Sequence, residues 1–193
     1  MQMMKSLVNV NLDYNTDFGS AGVAAIARGL CTNSTLKILS LRYCHIDECG
    51  GVSLSNILSS PRIAISSLDL TGNRLGGKGL GDMCSGISLN SSLQKLNLSD
   101  NNIMSTEFDL QGIKQFSNAL RENKSLVEVN LMYNPIGVEA GLALVDGIEG
   151  NKRITSFMVD KSLPSNIYSV LNRVSRKGKG KSKKSKKKKK KKK

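Results

Sequence analysis

A repeat constrains this chain more than any other feature. Six segments align: "LVNVNLDYN" from Leu7, "LKILSLRYCHI" from Leu36, "ISSLDLTGNRL" from Ile65, "LQKLNLSDNNI" from Leu93, "LVEVNLMYNPI" from Leu126 and "ITSFMVDKS" from Ile154. Their starts lie 29, 29, 28, 33 and 28 residues apart. Each carries apolar residues at its first, fourth and sixth positions; four then place Asn at the ninth, and the second places Cys44 there. Alternation puts Leu96 and Leu98 on one face of a short strand and Lys95, Asn97 and Ser99 on the other. A glycine then introduces a helical half. Gly22, Gly79, Gly112 and Gly141 each precede apolar residues three to four apart, as in Val23, Ile26, Leu30 and Ile113, Phe116, Leu120. One strand and one helix cannot bury their own apolar faces. Stacked units can, and the expected product is a curved, quasi-one-dimensional solenoid.

The strand pattern with its Asn or Cys position resembles the leucine-rich repeat. The period, and a second half of the form "YNPIGVEAGLALVDGIEGNKRI" (133–154), are similar to the ribonuclease-inhibitor-like subclass. The resemblance covers about residues 6–172. It implies an α/β fold: a curved leucine-rich repeat solenoid, a horseshoe fragment, with parallel strands on the concave side and helices on the convex side. The domain expectation is a solenoid over residues 1–174, about five full repeats plus a C-terminal capping repeat, and a disordered poly-lysine tail over 175–193. Asn15, Asn73, Asn101 and Asn134 recur after the strand, where the side chain bonds turn backbone; the family stacks them as a ladder and commonly puts Cys at the Cys44 position. Asn33, Asn90, Asn123 and Asn151 are expected to mark helix ends in place of Gly. That explains three of the four glycosylation-like triplets at Asn33, Asn90, Asn97 and Asn123, which are expected to be unused.

The first strand begins near Leu7 with no capping helix before it, so an open apolar edge is expected there: the mark of a fragment, or of an edge covered by a partner or another copy. At the other end, "SLPSNIYSVLNRV" has Pro164 and Ser165 as helix-start signals and Ile167, Val170, Leu171 and Val174 on one side, a closing amphipathic helix. The fourth repeat is longer than its neighbours. Its extra residues fall in "NIMSTEFDLQG" (102–112), expected as a loop between strand and helix that either adds contacts or is a neutral insertion.

Charge divides the chain. From Arg173 onward there are 13 Lys, 2 Arg and no acid; residues 1–172 hold 14 bases and 15 acids, a net of −1. The body is therefore no polycation, and the pI of about 9.8 belongs to the tail. The lysines of "KGKGKSKKSKKKKKKKK" (177–193) would attract an anionic partner: nucleic acid, an acidic protein tail or an anionic membrane. A run of this kind also reads as a nuclear address. No secretory signal or apolar membrane-spanning run occurs, and free cysteines are expected, which together imply an intracellular, cytoplasmic protein.

No catalytic constellation is found. His45 is the only histidine. "GNRLGGKGLGD" (72–82) imitates a phosphate loop but has Gly79 where magnesium binding needs Ser or Thr, and its glycines fall where every repeat turns. No cofactor, metal or small-molecule substrate is expected, nor enzymatic activity. The outward strand positions form columns. The first is Asn9, Ile38, Ser67, Lys95, Glu128, Ser156; the second Asn11, Ser40, Asp69, Asn97, Asn130, Met158; the third Asp13, Arg42, Thr71, Ser99, Met132, Asp160. Tyr14, Tyr43 and Tyr133 follow at the rim, either as interface anchors or as covers for the neighbouring repeat. The expected partner-binding residues are Asn11, Tyr14, Arg42, Tyr43, Asp69, Lys95, Asn97, Glu128, Asn130 and Tyr133. The expected function is a non-enzymatic protein-interaction scaffold that binds a protein partner on its concave face and uses the tail as an electrostatic tether. The alternative is a Ran-type activator of a small GTPase, or another regulator of the ribonuclease-inhibitor-like class. Such solenoids are similar and act through an arginine at a repeat edge, where Arg42 and Arg74 fall without the family's flanking residues.

Overall fold

A computed structural model describes residues 6–30 and 32–173. Six three-residue strands alternate with six helices: β1 (Asn9–Asn11), α1 (Gly19–Leu30), β2 (Ile38–Ser40), α2 (Gly50–Ser59), β3 (Ser67–Asp69), α3 (Gly76–Leu89), β4 (Lys95–Asn97), α4 (Glu107–Glu122), β5 (Glu128–Asn130), α5 (Val138–Ile148), β6 (Ser156–Met158) and α6 (Ser165–Leu171). The strands form one parallel sheet in chain order, β1 to β6. Register is set by the central apolar residue: Val10, Leu39, Leu68, Leu96, Val129 and Phe157 lie opposite one another along the sheet. The first and second expected columns are those of the register; the third lies just past the strands. The result is the curved leucine-rich repeat solenoid, strands lining the concave side and helices the convex side.

The core runs the length of the stack between sheet and helices. Leu39, Leu41, Leu68, Leu70, Leu96 and Leu98 from the strand side meet Leu54, Leu58, Met83, Ile87, Phe116 and Leu120 from the helices, all buried. Two rows of asparagine side chains close its two edges. In the turn after the strand, Asn73 Nδ2 donates to Leu41 O and Leu70 O, both at 2.8 Å, while its Oδ1 accepts from the N–H groups of Cys44 and Ile46 at 3.1 and 3.0 Å. Asn134 repeats this, accepting from Asn101 and Ile103 N–H and donating to Leu98 O and Leu131 O. Cys44 takes the place in its repeat, its thiol 3.0 Å from Leu12 O.

The second row is Asn33, Asn90, Asn123 and Asn151; Asn90 and Asn123 cap the C-terminal ends of α3 and α4 as expected, but without the conformation a Gly would take there. They are not left-handed helix ends: Asn90 and Asn123 have φ −73° and −65° in extended backbone. Instead each Oδ1 accepts the N–H groups two and three residues on. In three of the four, Nδ2 reaches back to the preceding repeat: Asn90 to Leu58 O, Asn123 to Ile87 O and Asn151 to Leu120 O. The hydroxyl of an N-x-S/T triplet joins this bond set, Ser125 Oγ lying 3.2 Å from Asn123 Oδ1. Asn33, Asn90 and Asn123 are buried.

The glycines also serve otherwise than expected. Gly22, Gly79, Gly112 and Gly141 lie inside their helices rather than at the starts. Helices on the outside of a curved stack must pack closely, and these residues let backbones touch. A Cβ on Gly112 would collide with the carbonyl of Gly77, and one on Gly86 would sit 2.5 Å from Ser55 O. The glycines of 72–82 are absorbed by this packing and by the positive φ of Gly72 and Gly76.

The insertion in the fourth repeat is mainly helix. Residues 107–112 begin α4, the longest helix among the described residues, and of the expected loop only 102–106 stay outside it. Thr106 caps it, its Oγ1 accepting from Asp109 N–H at 3.2 Å and donating to the Asp109 carboxylate at 2.6 Å. Asp109 also accepts Gly77 N–H at the start of α3, so the extra turn locks α4 to its neighbour on the convex side.

At the C-terminal end α6 buries Ile167 and Leu171, while Val170 faces outward, contrary to expectation; Val174 lies outside the described residues. Arg173 then turns back on the sheet edge. Its carbonyl accepts Phe157 N–H at 2.7 Å and its guanidinium donates to Asn151 O at 3.0 Å, which covers part of the open edge of β6. At β1, Val8 is 54% exposed and Val10 and Leu12 are only partly covered, so this edge is apolar, as expected.

Asn134→Ala removes the acceptor for two buried N–H groups and the donor to two carbonyls. It is expected to lower unfolding free energy by about 3 kcal/mol, measured by chemical denaturation. Gly112→Ala should cost a similar amount, about 1–3 kcal/mol or more, because α4 must move off α3; the same measurement checks it, and an unchanged midpoint for either variant contradicts the packing described.

Candidate functional site

The concave sheet is where the columns converge, and most of their side chains are held by bonds to their own turns. In the second column Asn11, Asp69, Asn97 and Asn130 each accept, through Oδ1, the N–H two residues on, at 2.8, 3.0, 3.1 and 3.0 Å. This Asx turn ends each strand. Ser40 is too short for it; there Asp13, from the neighbouring repeat, accepts Arg42 N–H at 2.9 Å and the Ser40 hydroxyl at 2.6 Å. The third column is less exposed than expected. Thr71 and Ser99 are buried, because their hydroxyls fold in against Asp69 and Asn97 at 2.6 and 2.9 Å. Ser156, in the first column, is buried as well.

Two ion pairs cross strands. Lys95 Nζ lies 2.9 Å from Glu128 Oε2, joining β4 and β5 in the first column. Arg42 Nε lies 4.0 Å from Asp69 Oδ2, a loose contact between β2 and β3. Asp69, Lys95, Asn97, Glu128 and Asn130 surround one shallow depression of about 210 Å³. Asn11 is exposed on the same face at the β1 end.

The rim tyrosines share an unusual backbone. Tyr14, Tyr43, Gly72, Asp100 and Tyr133 occupy the same turn position in five successive repeats, all with positive φ, from 51° to 71°. These five repeats impose the left-handed conformation there on Tyr, Gly and Asp alike, so the turn and not the residue type decides it. The covering reading of the tyrosines holds at one residue. Tyr43 covers its neighbour, its ring filling the space a Cβ on Gly72 would need. Tyr14 stacks on Tyr43 with centroids 5.2 Å apart and planes 9° from parallel. Arg42 lies beside this pair, 6.0 Å from the Tyr43 centroid. Tyr14 and Tyr133 stay exposed, at 66% and 71%. Tyr133 is separated from the pair by two repeats, and its N–H donates to Asp160 at 2.6 Å. The expected site residues thus fall into a central depression, an aromatic shelf with Arg42, and the isolated Tyr133. Arg74 is exposed in the turn before α3, and its N–H donates to Ile46 O at 2.7 Å.

Sequence reasoning missed the turn-ending role of the second column. The signal was present: Asp69-Leu70-Thr71 and Asn97-Leu98-Ser99 pair an Asx with a hydroxyl two residues on, and that pairing accounts for the fourth glycosylation-like triplet. Among the described residues, no cluster of three or more His, Cys, Asp or Glu could hold a metal, and no helix is long and apolar enough to cross a membrane. Cys44, Cys49 and Cys84 are free thiols. Burial pushes the Cys84 thiol from 9.0 to about 12, with Asp82 adding to the shift; burial likewise raises Cys44.

The Leucine Rich repeat family model matches residues 32–55, 65–84, 89–106 and 122–145. The chain is 28% identical over 153 residues to mouse (Mus musculus) ribonuclease inhibitor, covering 75% of the chain and 32% of that protein. It is 25% identical over 155 residues to a Caenorhabditis elegans protein phosphatase 1 regulatory subunit 37 homolog, covering 80% of the chain and 16% of that protein. The chain therefore spans a third or less of these relatives. Among solved structures it is similar to the tropomodulin C-terminal domain of C. elegans, with a TM-score of 0.59 at 16% identity over 75% of this chain and 84% of that one. It is similar also to leiomodin-1 actin-binding site 2, with a TM-score of 0.57 at 16% identity over 75% of this chain and 83% of that one. At that identity the structural likeness concerns the fold.

The shifted thiol has a measurable consequence. The folded protein holds the Cys84 proton above pH 9.0, where the unfolded chain releases it. This stabilisation is complete below that pH and is lost as pH rises toward about 12. Unfolding free energy is expected to fall above pH 9, by at most about 1.4 kcal/mol per unit from this group. Denaturation of Cys84→Ala against the parent across that range should show a shallower decline; parallel curves would refute the assignment.

Proposed function

The chain is a leucine-rich repeat protein of the ribonuclease-inhibitor-like type, and from that premise we propose that it is a non-enzymatic scaffold that binds a protein partner on its concave face. The observation that carries this reading is the state of the concave columns. In the second column Asn11, Asp69, Asn97 and Asn130 are polar and accessible, and bonds to their own turns hold them in one orientation, so little conformational entropy remains to be lost on binding. The depression they surround is shallow and open, a form that suits a protein surface better than a small substrate. The stacked Tyr14 and Tyr43 beside Arg42 provide the residue types that anchor interfaces. The names of similar proteins, a ribonuclease inhibitor and a phosphatase regulatory subunit among them, agree with a role in binding other proteins.

The lysine-rich segment 175–193, outside the described residues, is assigned in this reading to electrostatic tethering. Its charge attracts nucleic acid, acidic protein tails or anionic membrane alike, so it sets location and encounter rate, while the fixed concave surface selects the partner.

Affinity capture with the full chain, and with a chain lacking 175–193, separates the two roles. Partners of the concave face should be retained at high salt and without the tail, and should bind about tenfold or more weakly when Tyr14 and Tyr43 are replaced by Ala. Partners of the tail should be lost at high salt. A shortened chain that captures no protein under any condition would sink the scaffold reading.

A further inference from the structure

Hydrogen-bond accounting in the second column leaves one kind of group unused. Asn97 and Asn130 each commit Oδ1 to a backbone N–H, that of Ser99 at 3.1 Å and that of Met132 at 3.0 Å. An oxygen must face a donor, so this bond settles which way each carboxamide is turned, and the Nδ2 group points away from the turn. Neither Nδ2 has a hydrogen-bond partner among the described residues. The two asparagines are in register on adjacent strands, hence about 4.8 Å apart in strand spacing. Both line the central depression with Asp69 and Lys95. They present N–H donors whose orientation is already paid for by the fold.

The charges around them narrow what can accept. Lys95 is neutralised by Glu128 at 2.9 Å, and Arg42 faces Asp69 at 4.0 Å. Asp69 itself lies in register beside Asn97. Of the charged groups that line the depression, Asp69, Lys95 and Glu128, two are negative, so a carboxylate entering it would be repelled on balance, whereas an uncharged carbonyl oxygen would meet donors without repulsion. We propose that Asn97 and Asn130 form a fixed pair of amide donors that takes uncharged carbonyl oxygens of a partner segment, supplied by its main chain or by Asn and Gln side chains. The inference rests on the concave face being the docking surface and adds the chemistry that surface selects.

Side-chain amide resonances of Asn97 and Asn130 in the full, nitrogen-15-labelled chain provide the test. The probes are octapeptides of alternating Gln and Gly, of alternating Ala and Gly, and of alternating Glu and Gly. Saturable shifts of both resonances are expected with the Gln peptide. Equal shifts with the Ala peptide assign the acceptor to the main chain, and weaker ones assign it to side-chain amides. The Glu peptide should leave the pair unmoved. Asn130→Asp keeps the turn-ending acceptor, as Asp69 does in its own strand, and should melt like the parent while binding the Gln peptide about tenfold more weakly; Asn97→Asp is the second variant. The proposal is overturned if neither neutral peptide moves the pair, if the Glu peptide moves it as much, or if neither aspartate variant weakens binding. Failure here, with Tyr14 and Tyr43 still needed for capture of a protein partner, would remove the donor pair and leave the scaffold reading standing; loss of both would remove both.

Discussion

The buried asparagine carboxamide is the interaction on which the rest of this structure depends. Strands of three residues and tight returns leave many turn N–H and C=O groups inside the molecule, where an unpaired group costs about 1–3 kcal/mol. Asn73 and Asn134 each pair with two N–H groups and two carbonyls of successive repeats. A second row at the opposite edge, with Asn90, Asn123 and Asn151, bonds in the same manner. With both edges of the core closed by polar side chains that span repeats, the leucine layer between them stacks without exposing backbone. Cys44 shows how far the position tolerates change: one thiol replaces one carboxamide, with its hydrogen bond to Leu12 O retained.

Curvature follows from what each side can bury. Strands pack at the spacing of a sheet, while the helices outside them close up only where Gly77, Gly86 and Gly112 let backbone meet backbone. The same geometry puts the second column on the inner face, where the Asx turns that end the strands also orient Asn97 and Asn130. Folding therefore fixes these side chains and shapes the concave surface in one event.

The repeat period predicted all six strands, the register and the first two columns, because a side-chain alternation of two has only one solution once the apolar positions face inward. The closing helix was legible from Pro164 and Ser165, and Thr106 with Asp109 carried a capping signal for the longer α4 that composition alone obscured. The tyrosine position was legible as a recurrence, but its division into the buried contact of Tyr43 and the exposed ring of Tyr14 was not. That division depends on Gly72, a residue in the next repeat.

What the sequence by itself determined is the architecture and its polarity: a period near 28 residues, an inward apolar triplet and a recurring asparagine admit one stacked arrangement with a polar inner face. What only the tertiary structure decided is where each polar group spends its hydrogen bonds. Asn90 and Asn123 are the helix ends they look like and also tie the edge to the preceding repeat; Thr71 and Ser99 look like outward positions and are folded inward; Asn97 and Asn130 look like an ordinary polar column and emerge with an unused donor each. The physical reason is that a hydrogen bond joins atoms of neighbouring repeats some 30 residues apart, and which partner lies within about 3 Å is set by the stack and not by the local chain.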